Sequence, residues 1–195
     1  MWSDGMGVYY KIFTKNLRIA VSGKSGCGNT TVSTILAKKL NIDCINYTFK
    51  NLGTELGLSV KDIIERSKTD FSYDKMVDER QIELAMKGSC VLASRLAIWL
   101  LKVADFKVYL SASSGVRAER VHKREGGNLE EIKRFTSERD GEDTKRYKAL
   151  YSIDNDDYRI ADKVIDTDLK KPEEIVDIIL DELEKKGLIN KVIED

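Results

Sequence analysis

The spacing of apolar residues changes repeatedly along this chain, and each change marks an element. Leu17, Ile19 and Val21 alternate with smaller or polar residues, the period of a strand against a core; from Val32 the apolar positions (Val32, Ile35, Leu36, Ala37, Leu40) recur at helical spacing. Short apolar runs at Asp43–Tyr47, Ser89–Ala93, Phe106–Leu110 and Lys163–Ile165 read as four further strands, too brief for helices. Helical patterns fall at Ala97–Leu101 and behind Ser113 or Ser114, where Val116, Ala118 and Val121 form an inner face. A closing helix starts at Pro172, turns Ile175, Val176, Ile179, Leu180 and Leu183 inward and stops at Gly187. Alternating strands and helices of this kind predict an α/β chain, with five parallel strands covered by helices on both faces.

Two segments stand outside that alternation. Residues 48–88 carry three polar helical stretches (Phe49–Leu56, Lys61–Arg66, Tyr73–Lys87) punctuated by Gly57, Thr69 and Ser72, and read as an insertion between the second and third strands. Between Lys123 and Lys148 most residues are charged, and Leu129, Ile132, Phe135 and Tyr147 are the only large apolar side chains. Gly126, Gly127 and Gly141 interrupt them. So little to bury gives low local stability, the property of a lid; a solvated helical hairpin is the plainer alternative. Residues 17–195 then form one domain. Residues 1–16 read as a leader, with Met6 as a second plausible initiator.

The chemistry lies between the first strand and its helix, in SGKSGCGNTT. Gly23, Gly26 and Gly28 allow backbone N–H groups to turn inward, and the helix that opens at Thr30 and Thr31 adds unpaired donors and a positive dipole end. Gly23–Thr31, comprising Gly23, Lys24, Ser25, Gly26, Cys27, Gly28, Asn29, Thr30 and Thr31, thus reads as a nest for nucleotide phosphates rather than an ordinary strand-to-helix turn. The Thr30 hydroxyl falls where such loops hold Mg²⁺. Against the pattern G-x-x-x-x-G-K-[ST], Asn29 stands in the lysine position. Lys24, the nearest cation, either reaches a phosphate or extends into solvent. Cys27 is a small residue suited to a tight turn.

Arginines extend the picture. Arg95 follows the third strand and Arg117 lies in the first turn of the helix after the fourth, both at the sheet end where the phosphate loop sits. Their planar forks match phosphate oxygens, and together they point to a second phosphate site. In the charged segment Arg139, Asp143 and Arg146 share a helical face at i, i+4 and i+7.

Composition removes other classes. The 33 basic and 33 acidic residues cancel, so no overall field favours nucleic acid or an anionic membrane. No apolar run reaches membrane-spanning length, and the N-terminus lacks the apolar core of a signal peptide. Three cysteines (Cys27, Cys44, Cys90) without metal-ligand spacing suit a reducing cytoplasm. The lone histidine, His122, sits among Arg120, Lys123 and Arg124 and reads as a surface residue.

In order, INYTFK (Ile45–Lys50), ASRL (Ala93–Leu96), SASSGVRAER (Ser111–Arg120), RDGEDTKR (Arg139–Arg146), YSIDNDDY (Tyr151–Tyr158) and ADKVIDT (Ala161–Thr167) resemble the cytidylate kinases, in particular their short archaeal-like type among the nucleoside monophosphate kinases. The resemblance covers Leu17 to Leu183. It implies a three-layer P-loop kinase fold, with residues 48–88 binding the monophosphate and residues 124–150 as a small lid. It implies transfer of the γ-phosphoryl of ATP to CMP or dCMP, with Mg²⁺ held through Thr30, by a monomer or weak dimer. Lys50, Arg95 and Arg117 match residues that bind the acceptor; Arg139, Asp143 and Arg146 match lid residues that close on donor and acceptor. Three departures from the family pattern occur. Asn29 replaces the loop lysine, Ala93 and Ser94 replace an acid and a glycine, and Lys50 replaces an arginine. A nucleotide-binding module that kept the fold and lost turnover is therefore the rival expectation.

Overall fold

The first core strand forms where alternation is cleanest, and it lands at the centre of the sheet. In the computed structural model, which describes residues 7–194, five parallel strands run in the order β3-β4-β2-β5-β6: β2 (Arg18–Ser22), β3 (Asp43–Ile45), β4 (Cys90–Ala93), β5 (Phe106–Ser111) and β6 (Lys163–Asp166). Ile19 and Val21 of β2, with Phe106, Val108 and Leu110 of β5, face one layer of helices, α1 (Asn29–Leu40) and α8 (Pro172–Lys185). Ala20 and Tyr109, one residue out of phase, face the other layer with Ala97 and Ile98 of α5 (Ala97–Leu100) and Ala85 at the end of α4 (Ser72–Ala85). Two faces, each with its own apolar cluster, form the three-layer arrangement that the alternation implied.

Residues 48–88 fold as α2 (Phe49–Leu56), α3 (Val60–Ser67) and α4 around their own small cluster of Tyr47, Leu52, Ile63 and Val77. The first two helices have well-defined starts. Thr48 and Asn51, then Ser59 and Asp62, form reciprocal capping boxes. The charged segment is α6 (Ser114–Glu125), a turn through Gly126 and Gly127, and α7 (Leu129–Tyr151). Gly141, expected as an interruption, lies inside α7 with open space where a Cβ would stand, so the helix runs through it.

One reading of the sequence needs correction. Much of the stretch expected to be a leader is β1 (Gly7–Ile12), which pairs antiparallel with β7 (Ile189–Glu194) in a separate two-stranded ribbon, Tyr10 opposite Lys191 and Ile12 opposite Ile189. Tyr10 and Ile12 pack on the α1/α8 layer. The β-branched and aromatic residues of GVYYKIF are a strand signal whose partner lies at the far end of the chain. Residues 1–6 lie outside the described part.

Candidate active site

At the carboxyl ends of β2 and β4 a cavity of about 840 Å³ opens, lined by every residue from Gly23 to Val32. The loop's shape is set by close approach. A Cβ on Gly23 would stand 2.4 Å from the Leu110 carbonyl, and one on Gly26 would meet the Arg117 backbone at 2.8 Å. Gly28 caps α1 with φ +97°, in the left-handed region that glycine adopts without strain. The Thr30 hydroxyl, at the first turn of α1, accepts a hydrogen bond from Asn46 Nδ2 at 3.2 Å. Asn29, in the lysine position, folds back so that Nδ2 donates to the Gly23 carbonyl at 2.7 Å. It braces the loop from inside instead of reaching a ligand. Lys24 also turns away from the nest, pairing with Asp156 at 2.5 Å. Cys27 is buried, and burial raises its thiol pKa.

Across the cavity, charge concentrates on α7. Asp143 is buried and accepts from both Arg95 and Arg146, while Arg146 Nε stands 3.4 Å from Asp74. Arg139 lines the same wall, its pKa lowered by burial and by neighbouring Arg95. Arg95, Arg139, Asp143 and Arg146 are therefore brought together as the sequence suggested.

Two expected residues are not. Arg117 is buried under the phosphate loop, where Nη1 donates to the Ser25 carbonyl at 3.1 Å and Nη2 bonds Asp140 at 2.6 Å. It leaves the cavity wall to Arg120 and Arg124. Lys50 is exposed on α2 and lines no part of the cavity; its backbone N–H donates to the Thr48 cap and its carbonyl accepts from the Thr54 hydroxyl at 3.0 Å. His122, expected at the surface, is half-buried on α6.

The sequence reading missed a third wall. Asp74, Val77, Asp78 and Gln81 line the cavity from one face of α4. Gln81 is pinned there by donating to the Tyr47 carbonyl at 2.7 Å, and Asp78 accepts from the Tyr151 hydroxyl at 2.7 Å. Burial raises the pKa of both carboxyls, Asp74 against the pull of Arg146 and Asp78 to about 6. Asp74, Asp78 and Gln81 recur at i, i+4 and i+7, the spacing noticed on α7, and that signal could have found them.

For a divalent cation the donor set is small. No group of three or more His, Cys, Asp or Glu suited to a metal occurs among the described residues. One hydroxyl, Thr30, at a phosphate nest fits Mg²⁺, which is bound through few protein ligands together with substrate phosphates and water.

Comparison with known proteins agrees with this architecture. The sequence model described as the cytidylate kinase-like family matches residues 18–169. Cytidylate kinase 2 of Borreliella afzelii is 44% identical over 178 residues, covering 89% of this chain and 100% of that protein. Cytidylate kinase of Pyrococcus horikoshii is 38% identical over 176 residues, covering 88% of this chain and 92% of that protein. Shikimate kinase of Bacteroides thetaiotaomicron shares the fold, with a TM-score of 0.61 at 17% identity over 86% of this chain and 98% of the other.

Proposed function

The chain belongs to the cytidylate kinase-like family and is a nucleoside monophosphate kinase; from that premise we propose that it moves the γ-phosphoryl of ATP to CMP or dCMP. The carrying observation is one continuous cavity that joins the phosphate nest at Gly23–Thr31 to the polar face of α4. The nest takes the donor phosphates on backbone N–H groups. Arg95 and Arg146, preset by Asp143, take the acceptor phosphate, and Arg139 neutralises charge that builds on the transferred group. Positioning and charge neutralisation suffice for such a transfer, with no covalent intermediate and no demand for a strong general base. Thr30 would hold Mg²⁺, which screens the donor phosphates when bound.

At the far end of the cavity Asp78 and Gln81 face the acceptor base. One Asp78 oxygen is occupied by Tyr151 and one Gln81 N–H by Tyr47, which leaves carboxylate and amide oxygens to accept from an exocyclic amine. Cytosine offers that amine; uracil presents a carbonyl in its place. Asn29 is accommodated because the nest is backbone-built and the lid supplies cations. The relatives above are kinases by name, which leaves the non-catalytic module without support. Cys27, Cys44 and Cys90 are all free, and we place the enzyme in the reducing cytoplasm. The described residues include no helix long and apolar enough to cross a membrane. A coupled assay with ATP, Mg²⁺ and a panel of monophosphates tests the reading. CDP formation at rates well above those for UMP or GMP is expected; turnover of none of them would overturn it.

A further inference from the structure

Three consecutive carbonyls of the phosphate loop are each held from outside by a side chain. Ser25 accepts from Arg117 at 3.1 Å, Gly26 from Arg120 at 3.2 Å, and Cys27 from the Thr167 hydroxyl at 3.3 Å. Arg120 in turn binds Thr167 through Oγ1 at 2.9 Å and through its carbonyl at 2.6 Å, so α6 and the end of β6 clamp the loop as one unit. In a planar trans peptide the N–H lies opposite the carbonyl. Fixing the Ser25 and Cys27 carbonyls outward therefore fixes the amides of Gly26 and Gly28 toward the loop's interior, the direction from which donor phosphates come.

One member of the clamp is tied to the lid. The second fork of Arg117 ends on Asp140 of α7 at 2.6 Å, and both side chains are largely buried (7% and 14% exposed). Asp140 lies one turn before Asp143, the carboxylate that presets Arg95 and Arg146. Successive acidic residues on one helix face thus grip opposite halves of the site, Asp140 the donor loop and Asp143 the acceptor arginines. Thr144, one turn beyond Asp140, bonds Asn155 at 2.8 Å, and the adjacent Asp156 holds Lys24 of the loop at 2.5 Å. The lid helix therefore meets the loop at two points without any ligand between them.

We propose that Asp140 is a positioning residue: through Arg117 it sets the peptide planes of the phosphate loop, so that the seat of α7 determines donor affinity. This assigns Arg117 to the donor side, where the sequence had suggested the acceptor. It rests on the reading of Gly23–Thr31 as the donor nest. A buried guanidinium that bridges a carboxylate and a loop carbonyl, one N–H to each, transmits displacement because the guanidinium itself has no solvent to fall back on.

Titration calorimetry on the full chain, with Mg²⁺ and a non-hydrolysable ATP analogue or with CMP alone, separates the possibilities. Asp140→Asn keeps volume and one hydrogen bond; it should raise the Kd of the analogue about five- to tenfold and leave that of CMP within about twofold. Arg117→Met should do more, and Arg117→Met with Asp140→Leu no worse than Arg117→Met alone, since the two act as one link. In steady state the KM for ATP should rise more than kcat falls. A merely structural ion pair would lower the urea midpoint and leave the two ligands' affinities unchanged, which would overturn the proposal. So would parallel weakening of CMP, which returns Arg117 to the acceptor. If the parent chain bound no analogue, the donor nest itself would fall and the link with it. A parent that binds, with variants that bind equally well, sinks only the link.

Discussion

Gly26→Ala and Gly28→Ala place the same methyl two residues apart in the phosphate loop, yet the structure separates their costs. Both glycines have positive φ, +86° and +97°, so each alanine carries backbone strain on the order of 1–2 kcal/mol. At Gly28 nothing lies closer than Val32 Cγ2 at 4.0 Å, and strain is the whole cost. At Gly26 the new Cβ would stand 2.8 Å from the Arg117 carbonyl oxygen and 2.9 Å from its Cα. That backbone belongs to a helix whose arginine is bonded to Ser25 and Asp140, so the loop must give way, adding about 1–3 kcal/mol. Gly26→Ala should thus lose about 2–5 kcal/mol of stability or relieve itself by moving the loop. If it moves, donor binding weakens tenfold for each 1.4 kcal/mol of misplacement. Urea melts and calorimetry with ATP and Mg²⁺, run on both variants, measure the two channels. Gly28→Ala should lose about tenfold or less in donor affinity and Gly26→Ala about a hundredfold. Equal effects, or a Gly26→Ala chain that binds ATP within threefold of the parent, would refute the steric argument.

Other expectations follow from the cavity walls. Arg139→Ala and Arg146→Ala should each cut kcat by orders of magnitude, whereas Lys24→Ala, whose side chain is already held by Asp156, should stay within a few-fold of the parent; an equally deep loss at Lys24 would reverse that ranking. Asp78→Asn offers an amide N–H to a carbonyl, so the ratio of kcat/KM for CMP over UMP should fall at least tenfold; an unchanged ratio would remove Asp78 from base reading. The raised pKa of Asp78 has a signed consequence for stability. The native state holds this proton more tightly than the unfolded chain, so its stabilisation is complete below about pH 4 and is lost as pH rises through about 6. At roughly 1.4 kcal/mol per pKa unit the full loss is on the order of 3 kcal/mol. Urea midpoints of parent and Asp78→Asn, compared from pH 4 to 7, should diverge in the parent's disfavour as pH rises; parallel curves would contradict it.

The sequence by itself determined what depends on neighbours along the chain. Alternation over Leu17–Val21 and helical spacing from Val32 fixed a strand and a helix, and the glycines between them fixed a loop of inward N–H groups, because each of these is a property of a few consecutive residues. Motif order then brought Arg95 and the face of Arg139, Asp143 and Arg146 to one wall, where Arg95 and Arg146 converge on the buried Asp143 carboxylate. Tertiary structure decided which way side chains point once several partners compete. Arg117 read as a phosphate-binding cation because its planar fork matches phosphate oxygens at that end of the sheet, and Lys24 stood open between a phosphate and solvent. Burial gave Arg117 a carbonyl and a carboxylate instead, and Asp156, far along the chain, took Lys24. Asn29 gained its role only when Gly23 closed over it. The same holds for β1, read along the chain as a leader because its partner, β7, lies at the other end of the sequence. Local periodicity shows that a residue has a face; which face meets solvent, loop or ligand depends on strands and helices that pair only after the chain has closed on itself.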